Sequence, residues 1–282
     1  MIWGYNWTVM KVGVQYAAPF DFAAMRVFFG AIGLFLVMLA LRKPLAPRAI
    51  AGTFMTGILQ TAGVYGLSMW ALVNGGAGKT AVLNYTMPFW VLLFAWFLLG
   101  ERLQKIQWIG ASLAFLGLIC ILLPLDLSQD LFSKGLALTS GISWGLGVVI
   151  AKRTQQKYAF DLLSFTTWQM AFASVPLLLI AWLVPAPPVN WTLPFVLSLL
   201  YNIVPGTVVA CLLWFFALSR LSAGTAGLGM LGTPVFGVLA AWWQLGERPS
   251  SLEALGILLI LAALGLNVFQ SNVTAPTQTN GE

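Results

Sequence analysis

Apolar residues fill this chain in runs of about twenty, separated by short clusters of proline, glycine or charge, and the runs lack the two-residue alternation of a half-buried strand. Ten runs stand out, at approximately 1–17, 20–41, 49–73, 79–99, 106–124, 133–152, 161–184, 192–219, 224–245 and 252–269. About twenty residues at 1.5 Å each cross a hydrocarbon core roughly 30 Å thick. Inside that core every backbone polar group must be satisfied internally, and without the alternation of a barrel the remaining solution is a helix. The pattern therefore predicts an all-α polytopic membrane protein with ten transmembrane helices joined by short loops. The first run is the exception: it begins at Met1 with no basic residue ahead of it, lacks the features of a signal peptide and reaches only about 26 Å, so a start placed too late or a truncated N-terminus is expected there.

Composition agrees and narrows the function classes. Of 282 residues, 60% are hydrophobic and 8% charged, against about a quarter charged in a soluble domain. Histidine is absent and the two cysteines, Cys120 and Cys211, lie inside apolar runs, which excludes a His-containing metal site and argues against a disulfide framework. No cofactor or metal is called for. The net charge of +6 sits between the runs, where a membrane protein needs it, so the partner is the lipid bilayer and not nucleic acid.

Two stretches carry an internal repeat. LNYTMPFWVLLFAWFLLGERL from Leu83 and GMLGTPVFGVLAAWWQLGERP from Gly229 align with Pro88 on Pro234 and Leu99-Gly100-Glu101-Arg102 on Leu245-Gly246-Glu247-Arg248. Trp3-Gly4 and Lys11 match Trp144-Gly145 and Lys152, followed by Asp21 and Asp161. The unit has five helices, and five is odd, so the second copy enters the membrane upside down. Residues 1–124 and 133–269 are read as two inverted five-helix repeats, and 270–282 as a disordered polar tail. With a cytoplasmic N-terminus, nine Lys and Arg residues fall inside and five outside, so both termini are placed on the cytoplasmic side.

On Trp3-Gly4-Tyr5-Asn6 with Lys11, Tyr85-Thr86-Met87-Pro88 closing in Leu-Gly-Glu-Arg, and Thr233-Pro234 with its own Leu-Gly-Glu-Arg, the chain resembles the ten-helix EamA-type proteins of the drug/metabolite transporter superfamily. The resemblance covers nearly the whole chain. It implies an inner-membrane carrier that exports amino acids or related small metabolites through a central cavity lined mainly by helices 1, 3, 4, 6, 8 and 9.

Candidate residues follow from the cost of polar groups and helix breakers within spans. Asn6, Asn84 and Asn202, with the amphipathic aromatics Tyr65, Tyr85, Trp144, Tyr201 and Trp214, are candidates for substrate contact; the alternative for each is interhelical bonding or core packing. Pro88 and Pro234 are candidate hinges, as is Pro205 with Gly206, a breaker for which the third run has no matching proline. Lys11 and Lys152 are candidate gate charges, or else snorkelling side chains. Arg26, inside the second run, invites the same question, with Asp21 five residues earlier as a candidate partner.

A secondary carrier working by alternating access is the leading function, with a small-molecule substrate and either a monomer or a homodimer open. A channel or a non-transporting membrane scaffold is the alternative. An enzyme is excluded because the spans hold no histidine, carboxylate pair or nucleophile beside a base.

Overall fold

The computed structural model describes residues 1–101, 105–122, 129–220 and 223–273. Arg102 and most of the polar tail lie outside them. Thirteen α-helical segments form ten rods among the described residues: α1 (Ile2–Gly13), α2 (Pro19–Ala40), α3 (Ile50–Thr56), α4 (Val64–Asn74), α5 (Ala77–Asn84), α6 (Met87–Leu99), α7 (Lys105–Leu122), α8 (Gln129–Lys157), α9 (Leu162–Leu183), α10 (Leu193–Ile203), α11 (Ala210–Arg220), α12 (Ala223–Leu245) and α13 (Ser251–Val273). A π-helical stretch, Gly57–Gly63, joins α3 to α4, a second, Val204–Val209, joins α10 to α11, and a turn at Tyr85 and Thr86 joins α5 to α6. Five rods are long and apolar enough to cross a bilayer on their own: Pro19–Ala40, Ala77–Leu99, Leu131–Lys157, Leu162–Leu183 and Leu193–Ala217. Large apolar side chains that a soluble protein would bury point outward along them, Leu36, Trp182 and Leu197 among these, and bilayer lipid is their solvent.

The repeat is written into the packing. A Cβ at Gly145 of α8 would lie 2.6 Å from Trp90 Cβ, 3.1 Å from Val91 N and 3.2 Å from Met87 O on α6. A Cβ at Gly4 of α1 would lie 2.9 Å from Phe236 Cβ, 3.4 Å from Gly237 N and 2.8 Å from Thr233 O on α12. Those three contacts are the same three residues displaced by 146, the offset that puts Pro88 on Pro234. The first helix of each repeat thus lays a glycine against the proline-bearing helix of the other, and only a glycine lets the backbones approach this closely. This is an inverted-repeat membrane fold whose halves cross-pack. At the periphery α7 and α13 make a similar contact, where a Cβ on Gly117 would meet Gly256 O at 2.7 Å and a Cβ on Gly256 would meet Gly117 O at 2.6 Å.

The breaker at Pro205-Gly206 does have a structural counterpart in the third rod. Residue 60 plus 146 is 206, so the π-helical stretches Gly57–Gly63 and Val204–Val209 occupy equivalent places. In the third rod the wide turn forms without proline, which is why the residue pattern gives no sign of it. A π turn misaligns local carbonyls with the i→i+4 ladder and marks functional sites more often than ordinary helix does.

Candidate functional site

The two π-helical stretches are completed from the opposite repeat. Trp3 of α1 donates its indole N–H to Gly206 O at 2.9 Å, and Ser143 of α8 donates to Leu59 O at 2.7 Å. Beside Gly206 lies the side-chain amide of Asn6; a Cβ on Gly206 would come within 3.0 Å of it. The neighbours fix how that amide is turned: its oxygen accepts from Arg26 Nη1 at 3.1 Å and Nη2 at 3.3 Å, and its nitrogen donates to Asn202 Oδ1 at 3.0 Å. Asn202 is itself anchored, donating to Ser198 O at 2.8 Å while its own carbonyl accepts from Thr207 Oγ1. Arg26 is 1% exposed; its guanidinium carbon sits 3.9 Å from the Tyr65 ring centroid, and Nη1 also donates to Met10 Sδ at 2.8 Å. Four rods, the first, second, third and eighth, meet at this cluster.

Asp21 does not pair with Arg26. It lines a groove with Trp182, Pro187 and Pro188 instead. On a helix, five residues turn the chain through about 500°, which sets residues 21 and 26 some 140° apart around the axis, so the spacing never favoured a pair.

Aromatic rings continue the cluster. Tyr5 meets Tyr201 edge to face at 5.6 Å, Trp3 meets Trp214 at 6.2 Å, and the buried Tyr85 lies between Trp7 at 6.5 Å and Trp144 at 5.8 Å. The Tyr201 hydroxyl donates to Ile2 O and the Tyr5 hydroxyl to Gln244 Oε1. Asn84 is placed otherwise: fully buried, it donates to Ser68 Oγ at 3.0 Å and Ser140 Oγ at 2.6 Å, tying three rods together, while its Oδ1 has no partner. It ends α5 at the break before Pro88. There Thr86 closes the turn by donating to Leu83 O at 2.6 Å and accepting from Trp90 Nε1 at 3.1 Å. In the other repeat Pro234 lies inside α12, which runs on without a break.

The Leu-Gly-Glu-Arg ends share one backbone and differ in what they hold. Gly100 and Gly246 both take left-handed conformations, at φ 68° and 67°, that end their helices and turn the following glutamate back. Glu247 then accepts from Ala77 N at 2.8 Å and Gly78 N at 3.0 Å, capping α5 from the other repeat. Beside it Lys11 donates to Leu72 O at 2.7 Å and Val73 O at 3.3 Å, at the end of α4. Lys79 of α5 and Lys134 of α8 reach Glu253 of α13 at 2.8 and 3.6 Å on the same face. On the other face Glu101 meets Lys152 at 2.6 Å in a solvent-facing pair. Lys43 and Asp161 form a second tie there, at 2.7 Å.

Comparison with known proteins matches the EamA-like transporter family over residues 1–123 and 132–269. The chain belongs to the EamA-like transporter family. It is 32% identical to YoaV of Bacillus subtilis, named an uncharacterized transporter, over 95% of this chain and 94% of that one. It is 25% identical to a protein of Salmonella typhimurium named a probable amino-acid metabolite efflux pump, over 100% and 96% of the two chains. Similarity at 28% identity, covering 98% and 92%, extends to YedA of Escherichia coli, named an uncharacterized inner membrane transporter. A protein with a known crystal structure shares the fold at a TM-score of 0.66, with 18% identity over 98% of this chain and 96% of that one. As an EamA-like protein the chain is a multi-pass membrane transporter and not an enzyme.

The sequence pattern singled out Asn6, Tyr65 and Asn202, which meet at Arg26, as candidate contacts, and took Arg26 itself as a candidate gate charge paired with Asp21. A lone arginine inside a long apolar run is expensive unless something faces it.

Proposed function

We propose that this EamA-like protein is a secondary carrier that exports small amino-acid-like metabolites from the cytoplasm by alternating access, with both termini and the Glu101 face cytoplasmic. The observation that carries this reading is the difference between the two ends of the repeat. One end is latched across the repeats by Glu247 on the N-terminus of α5, while the other is held by a solvent-facing Lys152–Glu101 pair. The inverted repeat gives the second conformation: Glu101 leaves Lys152 and caps the start of α12, and Glu247 releases α5. Such an exchange needs helices that break or pivot near mid-membrane, and the π-helical stretches with Pro88, Pro205 and Pro234 supply them. The name of the Salmonella relative supports the substrate class.

Counterflow in proteoliposomes, with labelled amino acids, nucleosides and organic cations, tests the reading. Saturable exchange of amino acids or their derivatives, reduced in Tyr85→Ala, is the expected outcome. Flux that rises linearly with concentration would make the protein a channel, and absence of flux for every compound from folded protein would make it a scaffold.

A further inference from the structure

A carrier's specificity lies in the groups its site leaves unsatisfied, and one group here stands out. The Arg26 guanidinium has five N–H donors and keeps its charge at every biological pH. Its hydrogen-bonding and ring partners are the Asn6 amide oxygen, the Met10 thioether, which is a weak acceptor, and the Tyr65 ring, with the Cys211 thiol close by; its Nε has none. Among the described residues no carboxylate lies in ion-pair range of it. Four lysines elsewhere do have one: Lys79 and Lys134 share Glu253, Lys152 has Glu101, and Lys43 has Asp161. A buried charge without a counter-ion is costly, and a charge at membrane depth more so. The surroundings lower that cost without removing it, since neutral acceptors and a ring quadrupole leave the net charge in place.

We propose that Arg26, flanked by Asn6, Asn202 and Tyr65, is the anchor for a carboxylate on the transported molecule, an assignment that rests on the carrier reading and sharpens it. Two parallel N–H bonds from a guanidinium match a carboxylate's geometry. The rings of Tyr5, Tyr201, Trp3 and Trp214 extend from the same cluster and receive the apolar or aromatic remainder. The site is single. The offset of 140 that carries Asp21 onto Asp161 carries Arg26 onto Thr166, so the second repeat offers no equivalent cation and the ligand binds in one orientation.

The test is thermal melting of the full chain in nanodiscs with matched probes: L-phenylalanine and phenylacetate against L-phenylalaninamide and phenylacetamide. The carboxylates should bind about tenfold or more tightly than their amides, the size expected for a charge-assisted bidentate contact. Arg26→Gln should abolish that preference. Asn6→Asp, nearly isosteric, places a carboxylate against the guanidinium; it should raise the melting temperature without ligand and lose the response to carboxylates. Equal binding of acids and amides, a preference that survives Arg26→Gln, or no response to any carboxylate at millimolar concentration would each overturn the assignment. Counterflow of neutral or cationic compounds alone would sink the anchor and leave the carrier standing. Carboxylate binding through Arg26 without flux would do the reverse.

Discussion

Glu247 and Glu101 occupy the same place in the same motif, follow glycines with nearly identical backbone angles, and do different things. Glu247 is bound to two backbone N–H groups at the head of a helix from the other repeat, where the positive end of the helix dipole adds to the hydrogen bonds. Glu101 holds a lysine in solvent, an arrangement worth little. The proline helices differ in the same sense. The helix before Glu101 is broken at Tyr85 and Thr86, whereas the helix before Glu247 runs unbroken through Pro234. An inverted repeat in which both ends had identical contacts would be symmetric, and a symmetric bundle opens to both sides or to neither. The lesson is that the repeat supplies one device twice, and the present conformation engages it once.

The comparison breaks most visibly if the engaged copy is removed. Glu247→Ala uncaps α5, and losing a side-chain cap costs about 1 kcal/mol or somewhat more. That is enough to shift a two-state equilibrium by roughly five- to tenfold. Ala241, 1% exposed beneath the Glu247 cleft, reports it. In a chain with Cys120 and Cys211 replaced by alanine, Ala241→Cys should react roughly five- to tenfold faster with an impermeant maleimide when Glu247→Ala is added. Glu101→Ala should change that rate less than about twofold. Equal effects of the two substitutions would erase the distinction between the ends.

Much of this was legible in the residues. The offset of 146 between Pro88 and Pro234, the repeated Leu-Gly-Glu-Arg and the paired Trp-Gly steps all reappear in the structure. Spacing within a repeat survives folding because each helix must present the same residues to an equivalent partner. The state of each copy was not legible: the same proline stands at a break in one half and inside a continuous helix in the other, and partners from other rods, such as Ser68 and Ser140 on Asn84, are present at the break. The π-helical stretch Gly57–Gly63 was equally hidden. Apolar periodicity reports burial, and in a helix apolar all round it says nothing of pitch.

The proline pair sharpens the comparison at a smaller scale. Pro88 lies in the first turn of α6, where its missing N–H would have had no helical partner, and its fixed φ suits the position. Pro234 lies inside a helix, where it costs a hydrogen bond and crowds the preceding turn. Pro234→Ala should therefore raise the melting temperature, by the equivalent of about 1 kcal/mol once neighbouring groups are allowed to satisfy part of the freed backbone. Pro88→Ala should leave it unchanged or lower it. The reverse order would place the strained copy in the other repeat.

The smallest effect concerns the loops on the Glu101 face. Burial pushes the Asp161 carboxyl up, but the Lys43 ammonium and the N–H groups of Ser164 and Leu163 outweigh it and hold it below the ordinary aspartate value of 3.8. A carboxyl depressed on folding stabilises the fold fully above its unfolded value, and the contribution is lost as pH falls through the folded value. The Lys43–Asp161 tie should thus be independent of pH from 5 to 8 and disappear only in acid below about 3.8. Melting curves of Asp161→Asn should run below those of the parent across the neutral range, by less than the equivalent of about 1 kcal/mol for a partly solvated pair, and converge with them in acid. Salt should shrink the gap, whereas the Glu247 cap, made to backbone N–H groups and half enclosed by α5, should resist it. A gap that persisted in acid would mean that Asp161 acts through its helix cap on Ser164, which the asparagine amide oxygen can replace only in part, and not through Lys43.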